Sequence, residues 1–252
     1  MNAVFVAWRP IQPELGWRPV GRLEHSDGLY RFCYTRGAQR EPFEPFRGME
    51  NLNQIYESAD LFPLFANRLL PASRPEYESF LRWSGLGAGE PLDPIVVLGV
   101  TEGIRETDAI EVFPSPAQDV SGHYLNKFFL HGIRWLAPAS AERIKLLRPN
   151  EPLKLLADFQ NSYDPRAVAV RTTDNPTLVG YVPRYLANDV WRLVRGGDAD
   201  FMELSVERVN LDAPLQNRVL CRMYATWPDG FTPCSGDDFE PISSRVPAHS
   251  AG

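Results

Sequence analysis

The sequence predicts an α+β protein built in two parts. Short strands of aromatic and β-branched residues occur in both halves of the chain. Helix start and stop signals lie between them. A stretch rich in Pro, Ser, Asp and Gly, Pro114–Gly122, separates the two halves and reads as a linker.

In the first part, Val4–Trp8, Trp17–Leu23 and Leu29–Tyr34 read as strands, with Ser26-Asp27-Gly28 as a hairpin turn. A loop rich in Pro, Glu and Phe runs from Glu41 to Gly48. Leu61–Leu69 places apolar residues at helical spacing. Ser73-Arg74-Pro75-Glu76 combines a Ser cap, a Pro inside it and a Glu three residues on, which predicts a helix to Ser84 that stops at Gly85. Pro91–Leu98 reads as a short helix and Ala109–Phe113 as a strand.

In the second part, Lys127–Trp135 reads as a strand. Ala139–Leu147 reads as a helix capped by Ser140. Leu153–Phe159, Ala167–Thr172 and Val179–Val182 read as strands. Arg184–Arg195 reads as a helix stopped by Gly196-Gly197. Phe201–Val209 and Arg218–Thr226 read as the last strands. From Asp229 onward Gly, Pro, Ser and Asp dominate, which predicts a disordered tail over 229–252.

The 252 residues are 44% hydrophobic and 23% charged, ordinary for a globular protein. Net charge is −6. The deficit lies before Gly122, where 11 basic residues face 17 acidic ones; from Gly122 on there are 15 of each. A polyanion contact therefore fits the second part better, as a local patch. Cys33, Cys221 and Cys234 have no metal-ligand spacing and are odd in number, so buried free thiols are expected in place of a disulfide framework or a zinc site. The four histidines are scattered, and no metal or cofactor is expected. No basic segment leads into an apolar run at the N-terminus, and no run of about 18 apolar residues occurs. A cytoplasmic protein with no membrane contact is the expectation.

Gly85-Leu86-Gly87-Ala88-Gly89 is only superficially a phosphate loop, because no Lys-Ser/Thr follows and no strand leads in. No Ser/His/Asp or paired-carboxylate arrangement stands out, so no enzymatic activity is expected.

The most informative stretch is Asn161-Ser162-Tyr163-Asp164-Pro165-Arg166-Ala167-Val168-Ala169-Val170. A turn leads into an alternating strand and sets a ring beside a carboxylate. A ring can stack on an unpaired base, and a carboxylate accepts hydrogen bonds from hydroxyls. The same residues also fit a plain turn with Tyr163 capping the strand. Arg134-Trp135 fits either a cation–π ligand pair or a rim Trp with a solvated Arg. Arg184, at a helix start, fits either a phosphate contact or a solvated end.

Three motifs in order extend this reading: His131-Gly132-Ile133-Arg134-Trp135, the stretch from Leu153 through Val170, and Val179-Gly180-Tyr181-Val182-Pro183-Arg184. Together they resemble a HIRAN domain. The resemblance implies an OB-like β-barrel with two helices over 123–228 and binding of single-stranded or end-exposed DNA. It implies that Tyr163 stacks on the terminal base and that Asp164 accepts from a terminal 3′-hydroxyl. Arg134 and Trp135 would form the opposite wall, and Arg184 would touch phosphate. The chain departs from the pattern near Asn217–Arg218, where an aromatic is missing, and at Pro183 and Tyr185.

Phe5-Val6-Ala7-Trp8, Pro19-Val20-Gly21-Arg22-Leu23, Tyr30-Arg31-Phe32-Cys33-Tyr34 and Leu61 through Pro71 resemble a HipA-type N-terminal domain. That resemblance implies a small α+β module over 1–117 serving partner binding without phosphotransfer, since kinase motifs are absent. The resulting expectation is a non-enzymatic, bacterial DNA-binding protein of repair or defence that recruits a protein partner through residues 1–117. The alternative is a protein–protein adaptor that uses both modules.

Overall fold

The computed structural model of the chain describes residues 3–10, 16–87, 92–105, 108–196 and 201–243. It is a mixed α+β structure with two antiparallel sheets and two compact units. The units are not contiguous in sequence. Residues 1–70, 92–115 and 235–252 form the first, and residues 71–91 and 116–234 the second.

The first unit holds β1 (Ala3–Trp8), β2 (Arg18–Ser26), β3 (Leu29–Tyr34), β4 (Tyr56–Ser58) and β5 (Ile110–Pro114) in the order β4-β3-β2-β1-β5. Strand β1, paired on both sides by β2 and β5, is buried along its middle, as its Val-Phe-Val-Ala run requires. Strand β3 alternates, turning Tyr30, Phe32 and Tyr34 inward. The buried Tyr34 hydroxyl donates to the Met49 carbonyl at 2.8 Å and accepts from the Phe46 amide at 2.7 Å. That phenol pins the Phe-rich loop to the core. The helical spacing of Leu61–Leu69 yields only a short helix, α1 (Pro63–Ala66), followed by tight turns.

Helix α2 (Tyr77–Trp83) belongs to the second unit and starts later than the cap signal predicts. The amides of Arg74 and Tyr77 bond to the carbonyls of Pro71 and Arg74, so Ser73–Glu76 form successive turns and Ser73 is not the cap. Helix α3 (Pro94–Thr101), in the first unit, is capped by Asp93, whose side chain accepts from the Ile95 amide at 2.8 Å. Residues Ala88 and Gly89 of the glycine-rich stretch lie outside the described residues.

The segment after Asp229 is ordered through Ser243, against the expectation of a disordered tail. Trp227 donates through its ring nitrogen to the Phe231 carbonyl at 3.0 Å. Farther on, in the first unit, the Ile242 amide donates to the Tyr34 carbonyl. Arg36 pairs there with Asp237 at 2.6 Å and Arg40 with Asp238 at 2.5 Å. Composition suggested disorder, but the acids meet arginines distant in sequence. Residues 244–252 lie outside the described residues.

The second unit carries β6 (Tyr124–Phe129), β7 (Pro152–Ala157), β8 (Val168–Thr172), β9 (Leu178–Tyr181), β10 (Glu203–Val209) and β11 (Val219–Ala225). Their order is β6-β11-β10-β7-β8-β9. The sheet curls until its two edges meet. Just beyond β6, Leu130 donates to the Val219 carbonyl of β11, while His131 exchanges two hydrogen bonds of 2.9 Å with Tyr181 of β9. Two glycines permit this approach. A Cβ on Gly180 would lie 2.8 Å from the Leu130 Cβ, and one on Gly132 would lie 2.9 Å from the Tyr181 ring. Gly132 also has φ +73°, which ends the strand. Trp135 therefore sits on a 3₁₀ turn, Ile133–Trp135, and not on the predicted strand.

Helix α4 (Pro138–Leu146) has Ala137 at its N-cap, so Ser140 is a buried residue of the first turn and not the cap. Helix α5 (Arg184–Gly196) buries Leu186, Val190 and Leu193. It also buries Asp189, which accepts from the Cys234 amide at 2.9 Å. Burial pushes the Asp189 carboxyl up to about 6, against the opposing pull of the Cys234 amide and the Arg192 charge.

Two outcomes follow from these contacts. Gly180→Ala should lower stability by about 1–3 kcal/mol in urea unfolding, whereas Gly87→Ala, with open space at its Cβ, should stay within about 0.5 kcal/mol of wild type. Asp189 binds its proton more tightly when folded, so its contribution to stability is fully present at low pH and is lost as the pH rises through about 6. Relative to Asp189→Asn, the wild type should gain about 1 kcal/mol between pH 7 and pH 5, read as the difference in urea midpoints.

Candidate functional site

The loop between β7 and β8 is tied at its neck, where the Asp158 amide donates to the Ala167 carbonyl at 3.0 Å. Inside it, Asn161 Oδ1 accepts from the amides of Tyr163 at 3.0 Å and Asp164 at 3.1 Å. This Asx arrangement is what the Asn-Ser-Tyr-Asp spacing encodes locally. Asp164 Oδ1 accepts in turn from the Arg166 amide at 2.9 Å. The backbone around Tyr163 is thus fixed while its ring is 70% exposed.

Arg184, the first residue of α5, places Nε 3.5 Å from Asp164 Oδ2. The structure therefore brings Asp164 and Arg184 together. The two side chains are 37% and 17% exposed, and a partly solvated pair at this distance contributes about 0–1 kcal/mol.

Arg134 lies with its guanidinium carbon 5.3 Å from the centre of the Trp135 ring, which is 81% exposed. No hydrogen bond, ion pair or ring contact joins this pair directly to Tyr163, Asp164 or Arg184 among the described residues. The connection runs through Tyr181. Its ring packs on Gly132, at the start of the Arg134 turn. Its hydroxyl donates to Asp158 Oδ2 at 3.1 Å, and the same oxygen accepts from Asn161 Nδ2 at 3.1 Å. Burial first, and the Asp158 carboxylate next, hold the Tyr181 phenol above its ordinary range, so it remains a donor.

Tyr181 and Asp158 are the residues that sequence reasoning left without a role, and Asn161 was read only as part of a turn. Tyr181 and Asn161 stand inside quoted motifs, but nothing in their spacing says that they share Asp158. The missing aromatic near Asn217–Arg218 has a structural counterpart. Leu215–Asn217 is a 3₁₀ turn, and Asn217 gives its carbonyl to Asn210 Nδ2 at 2.8 Å.

The comparisons bear on this unit. Residues 125–227 match the family model of the HIRAN domain. Two solved structures are similar over a comparable stretch. A protein from Lactobacillus plantarum is 18% identical, with 41% of this chain and 97% of that chain covered and a TM-score of 0.32. The HIRAN domain of human HLTF is 18% identical, with 42% of this chain and 81% of that chain covered and a TM-score of 0.30. No curated protein matches the chain. Within the matched segment, 14 Lys and Arg face 11 Asp and Glu, so it carries a cationic excess although the whole chain is acidic. No described helix is long and apolar enough to cross a membrane.

Tyr181→Phe removes one donor and leaves Asp158 with Asn161. It should cost about 1 kcal/mol of stability and speed amide hydrogen exchange at residues 161–166, while amides of β10 and β11 keep their protection.

Proposed function

We propose that the HIRAN domain at 125–227 binds the 3′ end of single-stranded DNA, without catalysis, in DNA repair or defence. One observation carries the reading. Two strongly exposed rings, Trp135 and Tyr163, stand on separate fixed turns that Tyr181 ties together, with Arg134 on the first turn and Arg184 of α5 beside the second.

Exposed rings add nothing to a core, but each offers a face to a base, worth about 1–3 kcal/mol per stacked base without sequence preference. Tyr163 stacks on the terminal base. Asp164 accepts from the terminal 3′-hydroxyl once Arg184 turns to phosphate, and its charge repels a phosphorylated end. Trp135, backed by Arg134, forms the other wall. Residues 1–117, whose motifs resemble the HipA N-terminal domain, serve to contact a protein partner.

Fluorescence anisotropy at low salt, with strands ending in 3′-hydroxyl or 3′-phosphate, tests this. The hydroxyl end should bind more tightly, and Tyr163→Ala with Asp164→Ala should weaken it by about tenfold or more. Equal binding of both ends, unchanged in the double variant, would overturn the end-reading pocket. No binding at low salt would transfer the role to protein–protein contact.

A further inference from the structure

Helix α5 carries a second feature of the same chemistry. Arg184, Asn188, Trp191 and Arg195 recur at steps of four, three and four, which places them on one helical stripe. Leu186, Val190 and Leu193 face the core on the other side.

The β7–β8 loop runs beside this stripe. Arg184 meets Asp164. Arg166 Nη1 donates to Asn188 Oδ1 at 2.9 Å. Trp191 donates through its ring nitrogen to the Arg166 carbonyl at 3.0 Å. Its ring lies 5.6 Å from that of Phe159, with the planes 56° apart. At the far end, the Arg195 guanidinium carbon stands 5.2 Å from the centre of the Trp191 ring.

Phe159 is 76% exposed although the chain holds its neck residue Asp158 in place, so its ring is presented to solvent against Trp191 instead of filling the core. Arg166 and Arg195 are exposed and have no carboxylate partner among the described residues. An aromatic surface flanked by uncompensated arginines complements a polyanion with flat bases. A neutral peptide would use the rings but leave the cations without a partner, and an acidic peptide would meet the cations but offer no flat bases to the rings.

We infer that Phe159, Trp191 and Arg195, with Arg166, form a second track that stacks bases and contacts phosphates of the nucleotides 5′ to the bound end. This inference rests on the end-binding reading above and extends the same site. From Arg184 to Arg195 the helix rises about 16 Å. A stacked strand advances about 3.4 Å per nucleotide, so the end pocket and the track together span about four or five nucleotides. Affinity must then grow with strand length beyond the terminal dinucleotide.

The test compares 3′-hydroxyl oligothymidylates, a dinucleotide and a strand of about ten nucleotides, by competition anisotropy. Wild type should bind the longer strand about tenfold or more tightly than the dinucleotide. Phe159→Ala with Arg195→Ala should remove most of that advantage and leave dinucleotide affinity within about twofold. Phe159→Trp should keep the wild-type length advantage. Arg195→Ala alone should lower the salt slope of the longer strand by about one. Tyr163→Ala should weaken both strands, which separates the end pocket from the track.

An unchanged length advantage in the double variant would overturn the track while leaving the end pocket standing. Parallel loss of both strands in that variant would also overturn it, by making these residues supports of the pocket. Absence of binding by the wild type would remove both readings. Phe159 and Arg195 are exposed, so urea midpoints should remain within about 0.5 kcal/mol of wild type.

Discussion

The backbone pair between His131 and Tyr181 is the constraint on which the second unit turns. It joins the two edges of a six-stranded sheet whose edge strands, β6 and β9, are otherwise far apart in the pairing order. An open edge is a row of unpaired donors and acceptors, and closure removes part of that liability. The contact is close enough to exclude a Cβ at Gly180 and at Gly132. Motif glycines are thus explained by packing, and the positive φ of Gly132 turns the chain so that Arg134 and Trp135 leave the sheet.

The same closure positions the chemistry. Tyr181 reaches one turn through its ring face and the other through its hydroxyl. Asp158 receives that hydroxyl and the Asn161 amide on one oxygen, and Asn161 then holds the backbone of Tyr163 and Asp164. Side chains left outside this relay are the exposed ones: Tyr163, Trp135 and Phe159. A rigid backbone under exposed rings lowers the ordering cost of binding, because little beyond side-chain rotation remains to be fixed.

Charge distribution follows from chain crossing as well as composition. The acidic segment around Asp237 and Asp238 belongs to the first unit, where it pairs with Arg36 and Arg40. The segment 125–227, which ends before these acids, carries an excess of cations. Counting charge from Gly122 onward hides this, because that half also holds Asp229, Asp237, Asp238 and Glu240. Residues 71–91 likewise join the second unit, where the Trp83 carbonyl accepts from Asn210 at 3.0 Å and Arg82 pairs with Asp212 at 3.0 Å.

Much of the mixed α+β architecture was legible in the sequence. Runs of aromatic and β-branched residues placed β3, β8 and β11, and α5 lay within a residue of its observed ends, because these signals act over neighbouring residues; Gly197 of the expected helix stop lies outside the described residues. The Asn161 turn was legible for the same reason, as was the ring beside a carboxylate. Strand β4, the late start of α2 and the ordered segment to Ser243 were not, since each depends on partners distant in the chain. By itself the sequence determined the local elements, the HIRAN motifs and the ring-and-carboxylate pair. Only the tertiary structure decided that Tyr181 serves two turns, that Arg184 neutralises Asp164 and that Phe159 stands against Trp191. Those meetings arise when a sheet curls onto itself, and the closing contacts join residues about 20 to 50 positions apart, beyond the reach of any local pattern.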